Sequence, residues 1–336
     1  MKGVLIVNLG TPKSPSKKDV KTYLDEFLMD KYVIDMPYLS RALLVKGIIL
    51  NTRPKKSAEA YQKIWNKKGS PLLYHSVDLV DKVKNMVDVP VVLGMRYGNP
   101  SIKEGLMELH QLGCTDIFVM PMYPQYAMSS TKTVVEKVKR EAFKINSAIK
   151  LDFFEPFYNN IDFIALLSGK IKNEMEQSGA DFVLFSYHSL PINHLELTGC
   201  DSQKCTNCSE KLENLDDKPQ SLCYKYHCLK TTKGVVDYLG LKPDQYDISY
   251  QSKLGKKEWL TPRTIHKLVD LPKSGIKKLI VTTPSFVSDC LETVEEIGIE
   301  GKKNFLKNGG EVYQRVSCLN SDDKWAQTVA DWIKNR

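Results

Sequence analysis

Short apolar runs recur along the chain, separated by longer segments of helical spacing and by turns rich in Gly, Pro and Asn. The runs are Val4–Asn8, Val89–Leu93, Ile117–Met120, Leu151–Phe154, Phe182–Phe185, Ile248–Gln251, Leu279–Thr282 and Val312–Val316. Their alternation with helical stretches predicts an α/β fold with parallel sheets covered by helices. Several runs end in polar, aromatic sequences: Asn8-Leu9-Gly10-Thr11-Pro12, Arg96-Tyr97-Gly98-Asn99-Pro100, Tyr123-Pro124-Gln125-Tyr126, Ser186-Tyr187-His188 and Thr283-Pro284-Ser285-Phe286. Ligands of open α/β sheets bind beyond the carboxyl ends of the strands, so these turns are where function is expected.

The first three runs and their helices read as one domain, residues 1–147, and the later runs as a second, residues 148–316. In the final segment, 317–336, Trp325, Val329, Trp332 and Ile333 are spaced for a helix that packs back on the first domain. Between about 197 and 226 the chain has no period and is rich in Lys, Asp, Asn, Ser and Cys, which reads as an insertion.

At 336 residues, 42% hydrophobic and 26% charged, the chain suits two globular domains. Much of its net charge of +8 comes from residues 13–68, with thirteen Lys/Arg against six Asp/Glu. That excess is either a solvated face or a surface for acidic lipid or a carboxylate-bearing substrate. No signal-peptide pattern follows Met1, so the cytoplasm is the expected compartment. Ala42–Leu50, the most apolar stretch, is broken by Lys46 and is shorter than the roughly 20 residues a membrane span needs. It could rest on the inner membrane face through Leu39, Leu43, Leu44, Ile48, Ile49 and Leu50, or equally form a core-facing helix. Neither Gly-x-Gly-x-x-Gly nor a P-loop is present, and no nucleic-acid partner is expected; the oligomeric state is not legible.

The candidate chemistry sits in the later half. His188 precedes a Leu-Pro turn, a placement that serves a structural histidine as well as one aimed into a cleft. Glu292, Glu296 and Glu300 recur every fourth residue, which on an α-helix stacks three carboxylates along one face. Such a row is a solvated face or, beside a cleft, a path for divalent ions or protons, with Asp289 at its inner end. Tyr97, Tyr123, Tyr126, Tyr187, Trp259 and Phe286 cluster at the strand ends, as core filling or as walls for a large flat apolar molecule.

Taken together, these segments resemble the ferrochelatases along nearly the whole chain. The resemblance is carried by Val7-Asn8-Leu9-Gly10-Thr11-Pro12, Thr52-Arg53-Pro54-Lys55, Gly69-Ser70-Pro71-Leu72, Met95-Arg96-Tyr97-Gly98-Asn99-Pro100 and Pro121-Met122-Tyr123-Pro124-Gln125-Tyr126. It continues through Ser186-Tyr187-His188-Ser189-Leu190-Pro191, Gln251-Ser252-Lys253-Leu254-Gly255, Trp259-Leu260 and Phe286-Val287-Ser288-Asp289-Cys290-Leu291-Glu292-Thr293. It implies two similar doubly wound, Rossmann-like domains facing across a cleft that holds the porphyrin. The implied activity is insertion of Fe²⁺ into a porphyrin with release of two protons. Protoporphyrin IX is the favoured substrate and coproporphyrin III the other. His188 and Glu292 match the family's catalytic pair and would meet the metal. Arg53, Tyr61, Ser70, Arg96 and Tyr126 match positions that hold or border the porphyrin, and Leu9, Trp259 and Phe286 match its pocket wall. Tyr97 joins these from the aromatic cluster. Many relatives have a histidine where this chain has Cys290, so that histidine's role does not transfer. A cobalt chelatase of tetrapyrrole synthesis and a non-enzymatic metal sensor are the competing readings.

In a reducing compartment the eight cysteines point to metal chemistry or packing rather than disulfides. Cys200-x₄-Cys205-x₂-Cys208 has the spacing of plant-type ferredoxin sites, and Cys223 supplies a distant fourth thiolate. A [2Fe-2S] cluster is the expected cofactor. Zinc on Cys205, Cys208, Cys223 and either Cys228 or His227 is the competitor.

Overall fold

In a computed structural model, the structure describes residues 1–198, 212, 215, 222–255 and 257–336. Cys200, Cys205 and Cys208 lie outside the described residues. Each of the eight apolar runs forms a strand, and the strands fall into two all-parallel sheets of four.

The first sheet has the order β2-β1-β3-β4, from β1 (Lys2–Gly10), β2 (Val91–Tyr97), β3 (Asp116–Pro121) and β4 (Lys150–Phe153). Central β1 pairs with β2 through Val4 and Val91 and with β3 through Gly3 and Ile117. Its buried side chains meet those of α5 (Ile102–Gln111) and α6 (Thr133–Ile145), where Leu5, Val7, Ile102, Leu106, Val134 and Val138 share one core. Ser101 and Glu104 form a reciprocal capping box that fixes where α5 starts. The other helices of this unit are α1 (Lys17–Leu28), α2 (Tyr38–Ala42), α3 (Leu50–Ile64), α4 (Pro71–Lys84) and the C-terminal α12 (Asp323–Lys334). Trp332 of α12 packs against Phe154 with ring centroids 4.9 Å apart, and Lys82 of α4 reaches Asp323 at 2.6 Å. Residues 1–123, 128–156 and 320–336 make up this unit. The run at 151–154 therefore completes the first sheet rather than opening the second, because its backbone finds hydrogen-bond partners on β3.

The second unit comprises 124–127 and 157–319. Its sheet has the order β6-β5-β7-β8, from β5 (Phe182–His188), β6 (Tyr246–Gln251), β7 (Lys278–Thr282) and β8 (Val312–Arg315). Around it lie α7 (Ile161–Ser178), α8 (Ile192–Glu196), α9 (Tyr224–Leu239), α10 (Thr264–Lys273) and α11 (Lys302–Lys307). Asn160 caps α7 by accepting from the amides of Asp162 and Phe163, and Gly179 ends it at φ 63°.

Among the described residues, three helical segments are wider than α. Leu43–Ile49 leads into α3, Met128–Lys132 leads into α6, and Glu292–Gly301 leads into α11; all three are π-helices with i→i+5 bonding. The α-helix expected for the carboxylate row is thus a π-helix, whose looser turn changes the angular offset between residues four apart. π-Segments tend to occur at functional sites.

Candidate active site

His188 is the last residue of β5, one place inside the strand rather than beyond it. Its Nδ1 lies 2.6 Å from the Ser189 carbonyl oxygen. A carbonyl only accepts, so Nδ1 carries the proton and Nε2 is left as an acceptor. Burial holds the imidazole below its ordinary pKa, and the charge of Glu292 offsets part of that shift. The result is a neutral base at physiological pH. The Phe286 ring stands edge-on to the imidazole at 6.2 Å.

Glu292 opens the π-helix, and its carbonyl accepts from Gln251 Nε2 at 3.2 Å, which ties the helix start to the end of β6. Glu296 is half-buried and accepts from both the amide and the hydroxyl of Ser252. Burial raises its pKa, and the neighbouring charge of Glu292 adds to the effect, which suits a group that takes and returns protons. Glu300 is half-buried farther along the same helix. Asp289 is buried and bound by Arg315 Nη1 at 2.6 Å and Thr293 Oγ1 at 2.9 Å. Its carboxylate is committed to an ion pair and to Thr293 of the π-helix, which leaves it unlike the free inner end expected of an acidic row. Among the described residues, no three His, Cys, Asp or Glu side chains are gathered to hold a metal. Cys290 is buried beside Glu292 and Cys318, with its thiol pKa pushed well up by burial.

Trp259 forms an isolated bridge with Pro191, and its buried indole N–H has no partner among the described residues. The backbone amide of Tyr126 donates to His227 Nδ1 at 3.0 Å, and the His227 ring stacks on Tyr158.

The first unit gathers the porphyrin-matching positions differently from the expectation. Leu9 is half-buried and Arg53 is exposed on α3. Arg96 is not a free cation. Its guanidinium is ion-paired with buried Asp30, donates to Thr133 Oγ1 at 2.8 Å and lies 4.3 Å over the Tyr97 ring. Tyr97 is wholly buried, and its hydroxyl donates to Asp30 at 2.9 Å. It can support a pocket wall from behind but offers no surface of its own. Ser70 is buried too and accepts from Thr11 Oγ1 at 2.8 Å; Tyr61 is buried edge-on to Tyr23 and Trp65. Of these positions, Arg53 is the one whose charge is open to solvent. Gly10 cannot be replaced without strain: at φ 105°, a Cβ would stand 1.7 Å from the Tyr97 carbonyl oxygen.

Sequence reasoning missed Asp30, Arg315, Tyr224 and Ser285. Asp30 and Arg315 carry no local signal of a buried pair, because their partners lie far away in the sequence. Ser285 lies in a strand-end turn where function was expected but was not singled out, and Tyr224 carries no signal at all.

Comparison with known proteins bears on the whole chain. The family model described as Ferrochelatase matches residues 1–336. A ferrochelatase of Coxiella burnetii (strain Dugway 5J108-111) is 41% identical, covering 99% of this chain and 93% of that protein. A ferrochelatase of Legionella pneumophila (strain Lens) is 39% identical over 100% and 99%, and one of Stutzerimonas stutzeri (strain A1501) is 39% identical over 97% and 95%. Among solved structures, SirB from Bacillus subtilis with Fe³⁺ superposes with a TM-score of 0.57 at 10% identity, covering 99% of this chain and 94% of that one. The cobalt complex of the sirohydrochlorin chelatase SirB from Bacillus subtilis subspecies spizizenii gives 0.53 at 12% identity, over 100% and 97%; at these identities the likeness is one of fold. With a full-length family match and relatives near 40% identity over almost their entire length, the chain belongs to the ferrochelatase family.

Proposed function

We propose that this chain inserts Fe²⁺ into protoporphyrin IX in haem biosynthesis, with His188 as the base. The carrying observation is the fixed tautomer of His188, whose Nε2 is an unprotonated acceptor beside Glu292. Metallation forms four Fe–N bonds, breaks two pyrrole N–H bonds and leaves iron in the +2 state. The protons must go to the protein, first to Nε2 and then through Glu292, Glu296 and Glu300 to water. Binding energy that bends the macrocycle would expose the nitrogen lone pairs before the metal arrives. Leu9, Arg53, Tyr126, Trp259 and Phe286 are the residues assigned to porphyrin contact. The partnerless N–H of Trp259 suits a carboxylate or water at a ligand edge. An anaerobic assay offering Fe²⁺ with protoporphyrin IX or coproporphyrin III tests the reading. Turnover of neither would sink it, and faster turnover of coproporphyrin would move the substrate. Zn²⁺, a strong competitor in divalent affinity, should also be inserted in vitro.

The cysteine-rich segment is assigned a [2Fe-2S] cluster held by Cys200, Cys205, Cys208 and Cys223. Support comes from the donor set itself: the ferredoxin-like spacing of the first three, and a Cys223 buried directly before α9. Bound there, it would cross-link a segment poor in apolar residues. Protein purified without oxygen should be coloured and hold about two irons per chain, and Cys205→Ser should bleach it. A colourless protein holding one zinc would replace the assignment.

Peripheral membrane contact is assigned to 37–50. No described helix is long and apolar enough to cross a membrane, but Tyr38, Leu39, Leu43 and Ile48 are 58–81% exposed beside Lys46. Flotation with anionic vesicles should recover the protein, and Leu43→Glu should lower that recovery several-fold. Equal recovery of the two, or none of either, would remove the assignment.

A further inference from the structure

We propose that Tyr224 is a positioning residue for His188 that acts, together with Ser285, on the backbone of the base rather than on its ring. The proposal rests on the reading of His188 as the proton acceptor in metallation.

The observation is a set of three hydrogen bonds around the His188 backbone. The Tyr224 hydroxyl lies 2.8 Å from the His188 carbonyl oxygen and 2.8 Å from Ser285 Oγ, and Ser285 Oγ accepts the His188 N–H at 3.2 Å. Their protons can be assigned. The carbonyl only accepts, so the tyrosine proton goes to it; Ser285 therefore donates its own proton to Tyr224 while accepting from the His188 amide. Both backbone polar groups of His188 are thereby held by side chains.

The sheet explains why side chains do this work. β5 pairs with β7 from Phe182–Leu279 to Phe185–Thr282, where β7 ends. On the other side, β5 stays in register with β6 as far as His188 and Gln251. His188 is thus supported by a neighbouring strand on one edge only. Its groups toward β7 would be buried without partners, a costly arrangement. Tyr224 and Ser285 stand in for the missing strand. A strand can only be followed or left, whereas two hydroxyls fix the terminal residue at one angle and so set where Nε2 points.

Tyr224 is itself well anchored by means other than its hydroxyl. It opens α9, and the same helix carries His227, which accepts from the Tyr126 amide, and Thr231, whose Oγ1 accepts from Gln125 Nε2 at 3.0 Å. Thr232 also meets the Tyr187 hydroxyl at 2.8 Å. Deleting one oxygen from Tyr224 should leave the helix in place and free the end of β5.

The test is steady-state metallation of protoporphyrin IX with Fe²⁺, without oxygen, in the full-length protein. Tyr224→Phe is expected to lower kcat about ten-fold, since small misplacements of a catalytic group cost this much or more. Its KM for porphyrin should stay within about two-fold and its melting curve near that of the parent. Ser285→Ala, which adds no volume, should give a similar loss, and the double variant should be no worse than the slower single, because either change opens the same set of bonds. In a His188→Ala background, Tyr224→Phe should change nothing further. Parental kcat in both single variants, a raised KM at unchanged kcat, multiplicative losses in the double variant, or an undiminished effect without His188 would each overturn the proposal. An unmutated protein that does not metallate at all would take down the functional reading as well, so the two failures are distinct.

Discussion

His188→Ala is expected to lower kcat for metallation by about 10²–10⁴-fold, the range removed when a positioned general base is lost, while porphyrin binding and the fold persist. The Nδ1 proton of His188 is committed to the Ser189 carbonyl, so Nε2 is the atom that can receive a pyrrole proton, and alanine supplies nothing there. Glu292→Gln should be severely impaired as the next group in line, and Glu300→Gln milder, since it lies two positions farther along the carboxylate row; equal losses at both would argue against a graded path. The same geometry sets a pH dependence. Burial keeps the folded imidazole below the ordinary value of about 6.5, so the acid limb of kcat/KM should have its midpoint below that pH and should vanish in His188→Ala. The unfolded chain protonates His188 at the ordinary value and the folded chain resists. Stability from this residue is therefore present above about 6.5 and lost as pH falls through the lower folded value. A midpoint above 6.5, or a His188→Ala enzyme at full rate, would refute the role.

Asp30→Ala is expected to destabilise the protein by about 3–5 kcal/mol, which would lower Tm on the order of 10 °C. Asp30 is buried and accepts from three side chains at once, Arg96, the Tyr97 hydroxyl at 2.9 Å and Thr133 Oγ1, besides the Tyr32 amide at 2.8 Å. Its removal strands a guanidinium whose side chain is 11% exposed, together with two hydroxyl groups, in surroundings that cannot rehydrate them. Thermal unfolding of the variant measures the cost. A change below about 1 kcal/mol would mean that Arg96 finds water or another acceptor, and would return it to the pool of cations open to a porphyrin carboxylate.

Much of the fold was legible because it follows from short-range pattern. Each apolar run became a strand, and turns such as Asn8-Leu9-Gly10 marked where strands end. The His188 and Glu292 positions were visible as types at a strand end and a helix start. What was not legible depended on long-range pairing. Arg96 reads as a free cation in sequence, and only the approach of Asp30, 66 residues away, shows its charge to be spent. Asp289 reads as the inner end of an acidic row, until Arg315 reaches it from β8. The widened helix at 292–301 has the same four-residue spacing that an α-helix would use, so periodicity cannot separate the two.

The two sheets have the same strand order, and the register extends the equivalence to single residues. Gly10 pairs with Tyr97 at the end of the first central strand, as His188 pairs with Gln251 at the end of the second. In both halves a π-segment follows the third strand of the unit, at 128–132 and 292–301. The chain is one plan written twice, so its halves can be compared as siblings. Where one copy spends its strand end on a glycine that lets two backbones touch, the other has an imidazole. Where one carries a short Met-Ser-Ser-Thr-Lys turn, the other has a ten-residue run of glutamates and apolar residues. The candidate reactive groups, His188 and the glutamates, therefore all lie in the second copy of the plan, whereas the basic excess of residues 13–68 lies in the first.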